Sequence, residues 1–339
     1  MSGRVLLMVC LAVTTAALAD ASLRERAEEV RRQRPATLAE SSRLQKQLVA
    51  YADSLHAVDA IVEAARCLES AGILAFRRNE LDTALELWTR GLAWAQAADE
   101  PRAESSLLNA VAIGHTVADD VEAALDVYAR AITLRTDLAD TLGLSRTWGN
   151  LANLYAETGR PAEALEATVT EERWLAHVDN PRGALANALR RAQILMTLQR
   201  PFEARRYVDR ASSLAARGAR PEDVGLASMR QGDLLLETGA AAAARDSFAR
   251  AVEHFERAGH AFNAGFAEQS RLAALLELGE YEACLRGAQA LAAALADDGP
   301  PRLHVVALRL QAQAQFGLGR LDEAEAVLQD ALARFEAQR

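Results

Sequence analysis

The stretch that decides the fold is SRTWGNLANLYAETGRPAEALEATVTE, residues 145–171. Apolar residues recur at helical spacing on both sides of the tripeptide Gly159-Arg160-Pro161, which predicts two short amphipathic helices. Glycine suits the left-handed conformation that ends a helix, and proline suits the first turn of the next one. The apolar face of the first helix consists of Trp148, Leu151, Ala152 and Tyr155, and that of the second of Ala164, Leu165 and Thr168.

Variants of this helix pair recur every forty residues. A small residue occupies the position equivalent to Ala164 in seven copies, at Ala84, Ala124, Ala164, Ala204, Ala244, Cys284 and Ala324. Small residues also predominate twelve residues before these anchors, at Gly72, Ala112, Ala152, Ala192, Gly232, Leu272 and Ala312, and seven residues after them, at Gly91, Ala131, Glu171, Ala211, Ala251, Leu291 and Ala331. Small residues on facing sides allow two helices to approach closely. A turn residue precedes each anchor by five, at Asn79, Asp119, Gly159, Gln199, Gly239, Gly279 and Gly319.

The pattern of Trp148, Leu151, Ala152 and Tyr155, followed by Gly159 and Ala164, resembles the tetratricopeptide repeat (TPR) family. Thr168 and Glu171 depart from it, because an aromatic residue and an alanine are usual there. The resemblance covers about residues 65–339 and implies an all-α, right-handed α-α superhelix of paired antiparallel helices, placed here at residues 61–339. The forty-residue period exceeds the usual length of about 34, so we expect longer helices or loops, as in kinesin-light-chain repeats.

The N-terminal region has a different character. Residues 1–19 are predicted to be a secretory signal peptide, with Arg4, an apolar run at 5–13 and the small-x-small pattern of residues 17–19. The alternative is an uncleaved membrane anchor, although the apolar run is short for a bilayer. Residues 20–60 hold a charged segment, which is either a helix or a tether, and a helix at 37–56 expected to cap the first repeat. Export predicts a periplasmic or secreted protein, and the style of the signal indicates a bacterium.

Composition narrows the function classes. The net charge of −9 disfavours nonspecific nucleic-acid binding, and no membrane span is expected after signal cleavage. Cys67 and Cys284 lie in distant repeats, so a disulfide is not expected, and Cys284 is interpreted as a buried thiol. The histidines and paired carboxylates show no metal-binding or catalytic spacing, and no phosphate-binding loop is present. We therefore predict no enzymatic activity, no cofactor, no metal and no catalytic residue.

The resemblance also implies where a partner binds. In TPR proteins, positions 2, 5, 6, 9, 12 and 13 of the first helix face a concave groove, where position 1 is Ser145 and its equivalents every forty residues. Positions 6 and 9 are both polar in repeats three to five, at Asn150, Asn153, Arg190, Gln193, Arg230 and Asp233. Amides can pair with a peptide backbone, and arginines can hold a carboxylate. The leading hypothesis is a scaffold or adaptor that binds a peptide segment or helix of an envelope protein, and the alternative for this inner face is a merely solvated surface.

Two other interpretations stay open. The last predicted helix has a broad apolar face that includes Leu321, Leu328 and Leu332, which suggests a homodimer contact or a self-associating structural homo-oligomer. The chain could also be an accessory subunit of an envelope enzyme complex. In repeat six the larger residues Leu272, Cys284 and Leu291 fill the small slots, and the loop at 297–301 follows, so we expect a slight kink between repeats six and seven.

Overall fold

The computed structural model describes residues 21–35, 37–295 and 301–336. These residues are almost entirely helical and contain no β-strand, which confirms the all-α prediction. The expected signal peptide, residues 1–19, lies outside the described residues. The centre of the expected loop between repeats six and seven, residues 296–300, lies outside them as well, so the kink stays a prediction.

The chain alternates between two sets of helices after an N-terminal pair, α1 (residues 21–32) and α2 (Leu38–Ala57). The first helices of the seven repeats, here called A helices, are α3 (Ile61–Arg77), α5 (Pro101–Val117), α7 (Thr141–Glu157), α9 (Pro181–Thr197), α11 (Pro221–Glu237), α13 (Ala261–Glu277) and α15 (Pro301–Gly317). The B helices are α4 (Leu81–Ala97), α6 (Val121–Asp137), α8 (Pro161–Leu175), α10 (Pro201–Gly218), α12 (Ala241–Arg257), α14 (Tyr281–Ala294) and α16 (Leu321–Glu336). Each A helix has 17 residues, and turns such as residues 78–80 are short, so the length beyond a usual TPR lies in the helices.

The turns between helices repeat one backbone motif. All seven predicted turn residues, from Asn79 to Gly319, have φ between 56° and 77°. At the first of them, the Asn79 amide donates to Phe76 O at 2.9 Å and the Glu80 amide to Ala75 O at 3.0 Å, which is a Schellman ending. Five of the turns that precede A helices use the same positive φ, at Asp59, Asp99, Ala139, Ala219 and Gly259. The backbone period is therefore twenty residues, half of the period visible in the sequence.

Six prolines begin helices of the repeats. Pro101, Pro181, Pro221 and Pro301 are the first residues of A helices, and Pro161 and Pro201 are the first residues of B helices. A proline in the first turn removes an amide that would have no partner within the helix, and its ring fixes φ near the helical value.

The small-residue slots form the core between helices. All residues of the three small-residue series, including every anchor from Ala84 to Ala324, are buried. Glycine serves where the facing side chain is aromatic: a Cβ on Gly72 would overlap the ring of Trp88, and a Cβ on Gly232 would overlap the ring of Phe248. The close helix approach inferred from the sequence is thus present, and volume is balanced across each helix pair.

Repeat six keeps this balance with the sizes exchanged. Leu272 is large where other repeats have glycine or alanine, and it is fully buried. The facing helix supplies Gly287 and Ala288, and a Cβ on Gly287 would come 2.5 Å from Leu272 Cδ2. Leu272, Cys284 and Ala288 share one apolar cluster.

The N-terminal pair continues the same frame. α1 is helical, which resolves the choice between helix and tether for residues 21–32. Arg24 Nη1 lies 3.2 Å from Glu63 Oε1, and Arg31 Nε donates to Ser70 Oγ at 3.2 Å, so α1 lies against α3. In α2, Leu44 and Leu48 are buried forty residues before Ala84 and Trp88. The pair thus occupies the place of a further repeat.

By its internal contacts the chain divides into two units. Unit 1 comprises the described residues up to 160 together with 173–178, and unit 2 comprises residues 161–172 and 179–336. Consecutive helices pack against each other from α2 to α7 in unit 1 and from α9 to α16 in unit 2. Some A helices also contact the next A helix, α3 with α5 and α5 with α7 in unit 1, and α9 with α11 and α13 with α15 in unit 2. In each unit, the surface formed by its A helices is called the A-helix face of that unit below.

Candidate functional site on the A-helix face

The six predicted groove residues fall into both units. Asn150 and Asn153 lie on α7 in unit 1. Asn150 Nδ2 donates to Asn109 Oδ1 at 3.2 Å, and the Thr147 hydroxyl donates to the same oxygen at 3.3 Å. This short amide ladder joins α5 to α7. Asn153, one turn further along α7, is exposed.

In unit 2, Arg190 is engaged by a buried carboxylate. Its Nη1 lies 2.7 Å from Glu171 Oε2, and the Asn187 amide donates to the same oxygen at 2.8 Å. Asn187 Nδ2 also donates to Thr168 O at 2.8 Å. Burial raises the pKa of Glu171, although the charge of Arg190 and the hydrogen bond from Asn187 oppose this shift. The carboxylate that Arg190 holds is therefore one from its own chain, and the network fastens α8 to α9.

A second ion cluster lies beside the first. Glu172 is hydrogen-bonded by both Arg191 and Arg210, and the guanidinium of Arg191 lies 4.3 Å from the centre of the Tyr207 ring. Burial would raise the pKa of Glu172, but the two arginines outweigh it and the pKa is lowered. These contacts tie α8 to α9 and α10.

The remaining three candidates meet in one groove between α9 and α11. This groove has a volume of about 460 Å³. Arg230 Nη1 lies 2.7 Å from Asp233 Oδ2, one turn apart on α11. The lining consists of Gln193, Met196, Thr197, Gln199, Met229, Arg230, Asp233, Leu236 and Glu237. Amide, apolar and charged groups are thus available side by side, which suits a polypeptide ligand.

Three ionisable side chains determine the charge of this groove. Arg230 is balanced by Asp233, and Glu237 follows one turn later on the same face of α11. Burial raises the pKa of Asp233, Arg230 opposes that shift, and Glu237 adds to it. One basic and two acidic side chains therefore line the groove, so acidic groups outnumber basic ones.

An exposed apolar patch continues the same face of unit 2. Leu226 lies four residues before Arg230 on α11 and is 40% exposed. On α13, Phe262 and Phe266 are 57% and 40% exposed, and their rings meet edge to face with centres 4.8 Å apart. Leu226 and Phe266 both occupy position 2 of their repeats, counted from the equivalents of Ser145. Exposed aromatic residues of this kind anchor many protein interfaces.

Sequence reasoning missed the apolar part of this groove and Glu237. Met229 occupies position 5, Met196 and Leu236 occupy position 12, and Glu237 occupies position 13 in the same repeat frame. All four are partner-facing positions in the TPR resemblance. Reading positions 6 and 9 alone gave the polar centre of the groove and left out its apolar flanks.

The described part of the chain was also compared with the requirements of a metal site, a membrane-spanning helix and a reactive thiol. No cluster of histidine, cysteine and acidic residues there could hold a metal ion. None of the described helices has the length and hydrophobicity that a bilayer crossing requires. Cys67 and Cys284 are free and fully buried, and burial raises the pKa of each thiol to about 11. Cys284 is therefore the buried thiol that the sequence indicates.

Comparison with known proteins identifies the fold. No family model and no curated protein matches this sequence. A solved structure of a signal-transduction ATPase with numerous domains (STAND) from Pyrococcus horikoshii, which has a tetratricopeptide repeat sensor, matches with a TM-score of 0.70 at 12% identity. The match covers 87% of this chain and 44% of that protein, so this chain spans less than half of its length.

Two further structures match over most of their length. The apo form of RapI has a TM-score of 0.67 at 10% identity and is matched over 96% of this chain and 87% of its own. The apo form of the quorum sensor NprR from B. thuringiensis has a TM-score of 0.62 at 14% identity, over 88% and 86% of the two chains. These likenesses establish a TPR-type helical-repeat fold, as the sequence resemblance predicts.

Proposed function

We propose that this protein is a non-catalytic binding scaffold that holds a segment of another protein on the A-helix face of unit 2. The observation that carries the proposal is the groove between α9 and α11, where Gln193, Arg230 and Asp233 meet beside an apolar lining. Exposed amides can pair with a peptide backbone, while Met196 and Leu236 offer apolar contact.

The fold neighbours support a binding role for the repeats. NprR is a quorum sensor, and the STAND protein has its tetratricopeptide repeats as a sensor. In both, helical repeats of this type belong to a protein that senses a signal. We extend to this chain only the idea that the repeats recognise a ligand, and we place the ligand at the groove of unit 2.

We also propose that the scaffold acts in the bacterial cell envelope. Support comes from residues 1–19, whose sequence has the three parts of a secretory signal. The mature protein would then be periplasmic or secreted, and its partner an envelope protein. Mass spectrometry of the protein isolated from envelope and culture fractions tests this, because cleavage after Ala19 leaves Asp20 as the first residue. An intact Met1 in the membrane fraction would favour an anchor.

Site-specific crosslinking tests the binding proposal. A photoreactive residue at Gln193 or Thr197, both exposed in the groove, should crosslink a partner in native envelopes. The matched control is the same residue at Asp209, which is exposed on α10 and does not line the groove. Equal crosslinking from all three positions, or none from the groove positions, contradicts the proposal.

A second candidate is self-association through α16. Leu321, Leu328 and Leu332 are 58%, 48% and 58% exposed. The residues equivalent to Leu328 are buried in the six preceding repeats, at Trp88, Tyr128, Thr168, Val208, Phe248 and Ala288. An apolar face that is covered elsewhere in the chain is open here, and a second copy of the same helix could cover it.

Light scattering at two concentrations tests this second candidate. If α16 forms a dimer contact, the average mass rises towards twice the monomer mass at the higher concentration, and Leu328→Glu prevents the rise. Ala326→Glu adds the same charge at another exposed position of α16 and should leave the mass unchanged. A wild-type protein that stays monomeric at both concentrations refutes the dimer.

A further inference from the structure

The acidic side chains at the centre of the groove between α9 and α11 determine which ligand charge the groove favours. Arg230 and Asp233 form a close pair at 2.7 Å, so the only cation of the groove lining already has a carboxylate partner. Glu237 contributes a second carboxylate. A ligand carboxylate would have to displace Asp233 from Arg230 and would meet the repulsion of Glu237. A ligand cation would be repelled by Arg230 but attracted by Asp233 and Glu237, and it could pair with Glu237 without breaking the contact between Arg230 and Asp233.

The apolar side chains that line the groove favour a ligand side chain that also has an apolar part. Met196, Met229 and Leu236 are each half-buried, so part of each side chain is available to a ligand. Lysine and arginine side chains have an apolar stem that packs on such groups while the charged end reaches a polar site. Methionine is well suited to this contact because its unbranched side chain adapts to different shapes.

The net charge of the whole chain also favours a basic ligand. The net charge of −9 attracts basic segments and repels acidic ones before contact is made. Electrostatic complementarity of this kind raises association rates and suppresses wrong partners.

We propose that the segment bound between α9 and α11 contains a lysine or arginine whose charged end lies beside Asp233 and Glu237 and whose stem packs on Met229 and Leu236. The inference rests on the proposed binding function and adds the chemistry of the ligand. An apolar neighbour in the same segment would reach Leu226, which lies one turn before Arg230 on the same face of α11.

Selection of random short peptides displayed on phage tests this assignment. Panning uses the full chain in three forms: the wild type, the double variant Asp233→Asn/Glu237→Gln, and Glu277→Gln. Glu277 is the exposed residue at the same helix position on α13, does not line the groove, and provides the matched control. Circular dichroism of each protein confirms that helicity is unchanged before panning.

The expected result is a preference for basic residues that depends on the two carboxylates. Peptides selected on the wild type and on Glu277→Gln should carry lysine or arginine about tenfold more often than aspartate or glutamate at one position. This preference should vanish on the double variant, and selected peptides should compete with crosslinking from Gln193.

The other outcomes separate the inference from the function on which it rests. Peptides that compete at Gln193 but lack a basic residue, or that keep it on the double variant, overturn the inference and leave the binding function intact. If no peptide is enriched on the wild type, the groove is not a peptide site and both proposals fail.

Discussion

Removing Glu171 or Arg190 should reveal how strongly their buried ion pair couples α8 to α9. The side chains are 6% and 16% exposed and lie 2.7 Å apart, which is a largely desolvated pair. Removing one partner of such a pair costs about 3–5 kcal/mol because the other charge stays buried. Arg190→Ala leaves the more buried charge, so we expect a loss of about 3 kcal/mol. Glu171→Ala should cost about 2 kcal/mol, since Arg190 can turn partly towards water.

The double variant decides between an ion pair and simple packing. The slot of Glu171 holds a small residue in most repeats, including Ala131 and Ala211, so alanine fits there. We expect Glu171→Ala/Arg190→Ala to lose only about 1–2 kcal/mol, which gives a coupling of about 3–4 kcal/mol. Long repeat arrays do not always unfold as one unit. The quantity to measure is therefore the free energy of local opening of α8 and α9.

Hydrogen exchange measured by mass spectrometry supplies this quantity. Peptides covering residues 161–197 report the opening free energy of α8 and α9, and peptides from α3 and α4 serve as an internal control. The reasoning is refuted if the double variant loses as much as the two single variants together, or if neither single variant changes exchange in residues 161–197. Either outcome would mean that the two charges act independently.

The remaining predictions concern packing, turns and pH. Gly232→Ala places a Cβ against the Phe248 ring, and Ala164→Leu fills a fully buried slot; each should lower stability in urea unfolding by about 1–3 kcal/mol, and a neutral result would contradict the close packing. Ala219→Gly should raise the thermal midpoint, with a gain of about 0.5–1 kcal/mol, because alanine is strained at φ 51°. Burial raises the pKa of Glu171 above its ordinary value of about 4, so its contribution to stability is present at low pH and is lost as pH rises through the raised pKa. Glu171→Gln should remove this loss in hydrogen exchange of residues 161–197, and an unchanged pH profile would show that Glu171 is not its source.

Much of the fold follows from the sequence because small residues recur at fixed positions and so mark the repeat period. Two helices can approach closely only where small residues face each other, so the small slots had to be buried. The N-terminal pair was harder to place in the frame. Leu44 stands where the repeats have alanine or cysteine, and Pro35 follows a shorter first helix, so size alone does not mark α1 and α2 as a repeat unit. The turn between α2 and α3 marks them instead, since Asp59 has a positive φ like that of Asn79, twenty residues later.

The design of a groove test changes once the ion pairs are known. Arg190→Ala would remove a possible ligand contact, and it would also leave the buried Glu171 without its ion-pair partner. A loss of binding could therefore result from a weaker contact between α8 and α9. Gln193 lies one turn further on α9, is exposed and lines the groove. A substitution there tests binding with little effect on stability, and it is the sharper choice.

The acidic excess of the groove depends on Glu237, which lies outside positions 6 and 9, and the availability of an arginine for a ligand depends on which carboxylates of the chain face it. Arg230 and Asp233 are three apart on one helix, so their pairing is a local matter. Arg190 and Glu171 are nineteen apart, as are Arg191 and Glu172. With antiparallel helices in twenty-residue units, the middle of one helix meets the middle of the next, and residues about one unit apart come into contact. The forty-residue period hides this relation, because it compares residues on every second helix. Once the twenty-residue unit is known, a mid-helix arginine should be examined for a carboxylate nineteen residues away before it is assigned to a ligand.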